Sequence, residues 1–577
     1  MSRIPLHPAT GLVAAALVLA ACSKAPEQAP AAQAPAEPAA PTHAFAAEIN
    51  AADFGERVKA LASDEFQGRA PGSVGEQKTV EYLKAQFQQM GLKPGNGDSY
   101  FQTVPMVETT ADESTVLKLD VNGQPRELKF GTDMVVGTTT GQAEVKVDAS
   151  DLVFVGYGVN APELGWNDYA GLDVKGKTVV MFVNDPGFHQ QDPALFEGKR
   201  MTYYGRWTYK FEEAARQGAA AALIIHDTEG ASYGWDVVKN SWSGAQFALP
   251  AKDDPEPRMP VQGWITGDVA RQLLSDLGQD LDALYKAAGK KGFKPIPLKA
   301  KASVDLKSTI AEKSSQNVVA VLPGSKRPDE TVVYMAHWDH LGNHADSHGG
   351  APAAPAGEDH VYNGAVDNAT GVAGILEIAE AFAKQNPAPE RSVVFLAVTL
   401  EESGLLGSKY YVAHPSFPLA KTVAVINLDA MPVIGRAKDM TVVGHGSSEL
   451  EDMLKAIAAG QGRTLTPEAT PQDGFYFRSD HFNFAKAGVP ALYAKGGDDL
   501  VEGGAEAGHA AQRDYRDNRY HKPGDQYDPA WKMDGVVQDL QALYGVGKQL
   551  TGSEQWPHWY QGNAFRAAEQ KLRATAK

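Results

Sequence analysis

The residues TVVYMAHWD at positions 331–339 are the most informative about the fold of this chain. In this stretch, an uninterrupted run of apolar and β-branched residues leads directly into a histidine and an aspartate. Two later stretches repeat this arrangement, SVVFLAVTLEE at residues 392–402 and TVAVINLD at residues 422–429. Such runs are typical of strands in a sheet covered on both faces, and such sheets bind ligands at the carboxyl ends of their strands. The polar residues delivered there are His337, Asp339, Glu401, Glu402 and Asp429.

These residues predict one acidic metal pocket, which two more residues complete. Asp367 lies in NGAVDNATG at residues 363–371, directly before a predicted helix whose N-terminus stabilises a carboxylate, and His521 lies further along the chain. Converging carboxylates repel one another, and divalent ions are the usual compensation. Histidine and carboxylate ligands without cysteine fit Zn²⁺, with Mn²⁺ or Co²⁺ as substitutes. The alternatives are an ordinary helix cap at Asp367 and a solvated surface pair at Glu401 and Glu402.

The number of ligands suits two ions. Two histidines and three carboxylates can hold a pair of ions that share one bridging carboxylate and a bridging hydroxide, with the ions about 3.5–4 Å apart. Asp367 is placed to be the bridge and His337 to be a ligand. Asp339, two residues after His337, is placed to fix the imidazole tautomer. Glu401 and Glu402 are adjacent and point in different directions, so one can bind metal while the other acts as general base.

Length and composition indicate a globular protein of more than one domain. The chain has 577 residues, of which 43% are hydrophobic and 22% charged, and this suggests two domains plus tails. Its formal net charge is −17 and it contains no Lys/Arg block, so nucleic acid is not an expected partner. Cys22 is the only cysteine, which excludes an intrachain disulfide and a cysteine-rich metal site.

The N-terminus resembles the signal peptide of a bacterial lipoprotein. Residues 1–22 combine a short polar start, an apolar stretch too short to span a membrane comfortably, and LAAC ending at Cys22. We expect Cys22 to be lipidated as the first residue of the mature chain; the alternative is cleavage nearby with an incidental cysteine. Residues 23–45 are rich in Ala, Pro and Gln and predict a flexible tether. This predicts an exported protein of the bacterial cell envelope, attached only through its lipid anchor. Ser23 favours the outer membrane, with the protein facing the periplasm or the surface.

The folded part is predicted to be α/β, with a mixed, mostly parallel sheet flanked by helices and a β-rich insert. The main domain is predicted to comprise residues 46–134 and 301–552, the insert residues 135–300, and a C-terminal tail or helix residues 553–577. The insert carries short apolar runs but no clustered set of His, Asp and Glu residues. Helices of the main domain are predicted at residues 47–61, 78–90, 371–384, 450–460 and 535–550.

The chain resembles the co-catalytic zinc peptidase family that includes secreted bacterial leucyl aminopeptidases, glutamate carboxypeptidase II and the transferrin receptor. The resemblance covers most of residues 46–550 and implies the zinc exopeptidase fold. The insert resembles a protease-associated domain, which several members carry. The motifs occur in family order: AHWDH at 336–340, NGAVDNATG at 363–371, LEESG at 400–404, NLD at 427–429, SDH at 479–481 and YHKP at 520–523.

The resemblance implies a role for each residue of the pocket. One zinc ion would be held by His337, Asp367 and Asp429, and a second by Asp367, Glu402 and His521. Glu401 would be the general base and Asp339 the aspartate that orients His337. Tyr476 stands three residues before Ser479, where secreted aminopeptidases have a tyrosine that hydrogen-bonds the substrate carbonyl or its oxyanion; the alternative is a packed aromatic. His481 is interpreted as structural because the ligand set is already filled.

The sequence therefore predicts a zinc-dependent metallo-exopeptidase that acts on peptides, with aminopeptidase activity as the first expectation. Carboxypeptidase or dipeptidase activity is the alternative within the family. It would need a cation for the substrate carboxylate. The arginines near the site in sequence are Arg478, Arg513, Arg516 and Arg519. A non-catalytic surface binding protein is a second alternative, which the intact Glu401 disfavours.

Overall fold

The computed structural model describes residues 45–343 and 360–575. The predicted signal peptide, its lipidation site Cys22 and the tether up to residue 44 lie outside the described residues. Within the described part, no helix combines the length and the apolar character that a membrane span requires.

The main sheet has four parallel strands at its centre and antiparallel pairing on both sides of them. The strand Arg327–His337 pairs in parallel with Arg391–Val398 on one side and with Thr422–Asn427 on the other, and Thr422–Asn427 pairs in parallel with Ala491–Gly496. Antiparallel pairing extends the sheet from Arg391–Val398. In spatial order the strands are Ala245–Ala248, Phe101–Ala111, Ile296–Leu322, Arg391–Val398, Arg327–His337, Thr422–Asn427, Ala491–Gly496, Asp439–Val442 and Thr464–Pro467.

Both faces of the central strands are buried, as the apolar runs predict. Val332, Tyr334 and Ala336 point into one hydrophobic cluster, whereas Val333 and Met335 point into another on the opposite face. Five helices contribute residues to the first cluster. They confirm the five predicted helices, with small shifts at the helix ends. They are Ala51–Leu61, Val74–Gln89, Thr370–Ala383, Leu450–Gly460 and Asp534–Thr551. Further helices of the main domain are Leu406–Ala413, His481–Lys486, Gly504–Asn518 and Arg566–Ala574.

A second sheet builds the insert around hydrophobic clusters of its own. In spatial order its strands are Gln124–Lys129, Val116–Val121, Ile296–Leu322, Glu144–Phe154, Thr178–Phe182, Ala221–Ile225, Val261–Ile265 and Met134–Gly137. Its helices are Trp207–Arg216, Thr228–Ala231, Trp235–Trp242, Gly267–Asp276 and Leu281–Ala288. The second sheet thus begins at Val116, before residue 135.

One long strand, Ile296–Leu322, belongs to both sheets. Its residues up to Lys307 pair with the strand Glu144–Phe154 of the insert, and its residues from Ser308 onwards pair with Phe101–Ala111 of the main sheet. This shared strand joins the insert to the main sheet through continuous backbone hydrogen bonds.

Candidate metal centre

The predicted pocket lies where three parallel strands end. His337 is the last residue of the central strand Arg327–His337, while Glu401 and Asp429 follow shortly after the strands on its two sides. Because these strands are parallel neighbours, their carboxyl ends meet at one edge of the sheet. Asp367 and His521 reach the same place from separate loops. The structure therefore brings together all five predicted metal ligands.

Asp367 lies at the centre of this cluster and faces a histidine with each carboxylate oxygen. Its Oδ1 is 3.3 Å from Nε2 of His337, and its Oδ2 is 3.2 Å from Nε2 of His521. On the first side, Oδ1 of Asp429 lies 3.4 Å from Nε2 of His337. On the second side, Oε2 of Glu402 lies 3.2 Å from Nε2 of His521. The cluster thus has two halves that share one carboxylate.

The spacing of these atoms fits tetrahedral zinc. A tetrahedron with bonds of about 2.0–2.1 Å has edges of roughly 3.3–3.4 Å between its ligand atoms, and the four contacts just given are of that length. The ligand atoms are imidazole nitrogens and carboxylate oxygens, the mixed set that zinc accepts. His337, Asp367 and Asp429 form one group whose ligand atoms are close enough to hold an ion. The residues present fit zinc, and the shared Asp367 fits a pair of ions.

The electrostatics of the pocket favour a bound cation. Burial lowers the pKa of His521, but the charge of Glu402 and hydrogen bonds to Asp367 and Glu402 outweigh it and raise that pKa to about 10. Burial likewise lowers the pKa of His337. The charge of Glu401 and hydrogen bonds with Asp367 and Asp429 outweigh burial, so the pKa rises well above its ordinary value. The carboxylates thus stabilise positive charge at both imidazoles, and a metal ion supplies that charge while releasing the protons.

Glu401 lies within 4.8 Å of His337 and Glu402, but it forms no ion pair with either histidine of the cluster. Burial raises its pKa well above the usual range, His337 opposes the shift, and the neighbouring charge of Glu402 adds to it. Its carboxylate makes no hydrogen bond and no ion pair with another described residue. An ionisable group of raised pKa beside a metal cluster is suited to accept and return a proton.

Asp339 positions two neighbours of the cluster. Its backbone carbonyl lies 3.1 Å from Nδ1 of His337, whereas its carboxylate is 3.8 Å from that atom. The carboxylate instead accepts the backbone N–H groups of Glu401 and Glu402 at 3.2 and 3.4 Å. With Nε2 of His337 facing the ligands, Nδ1 donates to the carbonyl, so Asp339 orients the imidazole mainly through its main chain.

Two residues that the sequence analysis did not single out support the cluster. Nδ1 of His340 lies 2.7 Å from Oε1 of Glu402, the oxygen that does not face His521. Asp525 accepts the backbone N–H groups of Val366 and Asp367, each at 3.0 Å, and so holds the loop that presents the bridging carboxylate. The motif AHWDH contains His340, and Asp525 lies two residues after the motif YHKP, but only the fold shows which atoms they contact.

The two tyrosines near the site face different surroundings. Tyr476 is buried, and its hydroxyl has no hydrogen-bond partner among the described residues. The charges that act on its phenol are those of Glu451, Arg200 and Glu468, none of which belongs to the metal cluster. It lines a cavity of about 420 Å³ between the insert and the main domain, and its ring packs against His481 at 4.6 Å. The catalytic role of Tyr476 therefore stays a prediction.

Tyr520 is the phenol beside the metal cluster. Its ring stacks on His521 with 4.0 Å between centroids, and the charges that act most strongly on its phenol are those of Asp367, Glu402 and Glu401. Tyr520 is 40% exposed, so a substrate can reach it. The sequence motif YHKP contains this residue, but the family resemblance pointed to Tyr476 for the contact with substrate and gave Tyr520 no role.

The second half of the chain matches a known peptidase family. Residues 317–544 match the sequence profile of Peptidase family M28, and this segment contains all five residues of the cluster. The chain is 33% identical over 194 residues to leupeptin-inactivating enzyme 1 of Streptomyces exfoliatus, covering 33% of this chain and 38% of that protein. It is 31% identical over 263 residues to aminopeptidase NAALADL1 of Mus musculus, covering 37% of this chain and 32% of that protein.

The matches to these curated relatives span about a third of their length. Among solved structures, an aminopeptidase from Aneurinibacillus sp. strain AM-1 is similar to this chain with a TM-score of 0.47 and 20% sequence identity. That similarity covers 87% of this chain and 94% of the other.

Proposed function

We propose that the protein is a zinc-dependent aminopeptidase that binds two zinc ions and removes N-terminal residues from peptides. His337, Asp367 and Asp429 hold the first ion, and Asp367, Glu402 and His521 hold the second. The observation that carries the proposal is the position of Asp367, whose two carboxylate oxygens face two different histidines at 3.3 and 3.2 Å. A single-ion site needs no such shared carboxylate.

The chain's own residues divide the work of hydrolysis. Zinc supplies Lewis acidity, which polarises the scissile carbonyl and lowers the pKa of water. Glu401 accepts a proton from the attacking water and passes it to the leaving amine. The phenol of Tyr520 is positioned to donate a hydrogen bond to the oxygen on which negative charge develops. Asp339 holds His337 in the tautomer that leaves Nε2 free for metal.

The N-terminal motifs support an exported, lipid-anchored form of this enzyme. In this proposal Cys22 carries the lipid, residues 23–45 form the tether, and the folded part acts on peptides in the cell envelope, at the outer membrane. The insert would be a protease-associated domain. Incorporation of labelled palmitate into the wild type but not into Cys22→Ala tests the anchor, and equal labelling of both would contradict it.

Hydrolysis of leucyl-p-nitroanilide tests the activity. We expect cleavage by the purified protein, loss of cleavage after treatment with a chelator, and recovery when zinc is added back. Metal analysis should give two zinc ions per wild-type chain and one in His521→Ala, which lacks a ligand of one ion only. Cleavage that persists in the metal-free protein would contradict the proposal, as would two firmly bound zinc ions in the variant.

A further inference from the structure

Two arginines, Arg206 and Arg478, lie near each other where the insert contacts the main domain. Arg206 directly precedes the insert helix Trp207–Arg216, and Arg478 follows the short turn Phe475–Phe477 of the main domain. Burial, with the nearby charge of Arg478 as a further cause, lowers the pKa of Arg206 to about 10. Both guanidinium groups also act on the phenol of Tyr233. Two like charges thus lie within interaction range of each other.

Neither arginine has a counter-ion among the described residues. Arg206 is only 9% exposed, yet its guanidinium donates no hydrogen bond within the described part, and its Nε is buried without a partner. The side chain of Arg478 likewise makes no ion pair with a described residue, and its Nε is also buried without a partner. Each guanidinium instead lies near an aromatic ring, of Trp207 at 5.9 Å and of Phe475 at 5.4 Å.

Other buried arginines of the chain have hydrogen-bond acceptors for their guanidinium groups. Arg57 pairs with Glu377 and Glu380, and Arg463 pairs with Asp539 at 2.6 Å. Arg69 donates to four backbone carbonyls. A buried guanidinium without acceptors, as at Arg206, costs folding free energy, and the like charge of the partly exposed Arg478 adds to that cost. An anion bound between Arg206 and Arg478 would offset that cost.

The pair lies beside the metal centre. Arg478 is followed by Ser479, whose hydroxyl accepts a hydrogen bond from Asn427 at the end of a central strand, at 2.7 Å. The charge of Arg478 also acts on the phenol of Tyr520, which stacks on the ligand His521. Arg478 is thus linked to the cluster by chain adjacency and by charge, so we expect a peptide bound at the cluster to extend towards it.

We propose that Arg206 and Arg478 form a subsite for a carboxylate of the peptide substrate. Guanidinium groups bind carboxylates through paired, charge-assisted hydrogen bonds, which suits two forks that lack acceptors. The carboxylate is either the C-terminal one of a short peptide or the side chain of an acidic residue. This inference rests on the proposed peptidase activity and adds a substrate class to it: short or acidic peptides.

The other arginines near the site in sequence do not compete for this role. Arg513 and Arg516 are exposed on the helix Gly504–Asn518. Arg519 already pairs with Asp514 at 3.3 Å. Of the four arginines that the sequence offered as a cation for a substrate carboxylate, Arg478 is the one with a buried guanidinium nitrogen that lacks a partner among the described residues.

Three substrates separate the possible carboxylates: Leu-Gly, Leu-Gly-amide and Leu-Glu-amide. For the zinc-loaded wild type, we expect kcat/KM for Leu-Gly or for Leu-Glu-amide to exceed that for Leu-Gly-amide by about tenfold or more. A preference for Leu-Gly identifies the C-terminal carboxylate, and a preference for Leu-Glu-amide the acidic side chain. Arg206→Gln should abolish the preference through KM while changing Leu-Gly-amide hydrolysis less than about twofold.

Two further variants serve as the control and as a second removal of a guanidinium group. Arg271→Gln removes an exposed arginine of the insert and should leave the preference unchanged. Arg478→Gln provides a second removal if Arg206→Gln fails to fold, and melting temperatures report folding of both. Equal wild-type rates on all three substrates, or a preference that survives in the folded variants, would overturn the subsite while leaving the aminopeptidase proposal intact. Failure to cleave any of the three would instead overturn the proposed function.

Discussion

At the scale of single residues, adjacent positions acquire different chemistry from their surroundings. Glu402 faces His521 and accepts a contact from His340, so both of its oxygens are engaged. Its neighbour Glu401 has no such partner in the described part, and burial raises its pKa. The adjacency of the two glutamates predicted that one binds metal and the other acts as base. The family resemblance implied Glu402 and Glu401 for these roles; their contacts fit that assignment, which stays a prediction.

The variants Glu401→Gln and Glu402→Gln should fail in different ways. Glu401→Gln removes the proton acceptor but no contact to a histidine, so we expect two zinc ions per chain and a turnover lower by about 10²–10⁴-fold. Glu402→Gln removes a ligand and should lose zinc as well as activity. Metal analysis beside kinetics on leucyl-p-nitroanilide distinguishes the two. Near wild-type turnover in Glu401→Gln would refute its role as base.

The paired variants Tyr520→Phe and Tyr476→Phe test which phenol contacts the substrate. Loss of a hydrogen-bond donor to the developing oxyanion lowers kcat by roughly 10²-fold, and we expect this for Tyr520→Phe with zinc content unchanged. Tyr476→Phe should leave kcat within about twofold and should not lower the melting temperature, because its buried hydroxyl has no partner to lose. The reverse result would restore Tyr476 to the role that the sequence suggested.

At the scale of secondary-structure elements, the strands were predictable and the loops were not. The apolar runs around residues 331, 392 and 422 located three central strands because burial on both faces leaves a continuous apolar signal. His521 lies in a loop, with a positive φ of 54°, and its position depends on contacts with Asp367 and Glu402 that are distant in sequence. Arg206 gave no signal because its significance lies in the absence of an acceptor, which only packing reveals.

The loop that presents Asp367 depends on Asp525, and Asp525→Ala should show this. The carboxylate of Asp525 accepts two backbone N–H groups of that loop, and its removal leaves them without a partner. We expect zinc affinity to fall by about 10–100-fold, as when a residue supporting a metal ligand is removed. Competition with a chromogenic chelator measures this. Asp517→Ala, which removes an exposed aspartate nearby, is the control, and equal affinity in both variants would refute the prediction.

At the scale of the whole molecule, the insert and the main domain are mechanically continuous. They share the strand Ile296–Leu322, and side chains join them as well, since Lys409 pairs with Asp254 at 2.8 Å. Met201 of the insert packs in the hydrophobic cluster under the main sheet, and Gly474 leaves room for its side chain. The contact between the two parts also brings Arg206 to Arg478, so a substrate subsite would depend on the insert remaining docked.

This continuity predicts that the folded part unfolds as one unit. Separating the insert would break the shared strand in its middle and expose both cores, so we expect a single calorimetric transition for the zinc-loaded protein.

Zinc binds the folded state in preference to the unfolded one, so a chelator should lower the melting temperature, by roughly 5 °C, without splitting the transition. In His521→Ala the chelator should cause a smaller shift, because that variant holds fewer ions. Two resolved transitions in the zinc-loaded wild type would show that the shared strand does not couple the two sheets. A chelator shift confined to one of them would place the zinc-linked stability in that part alone.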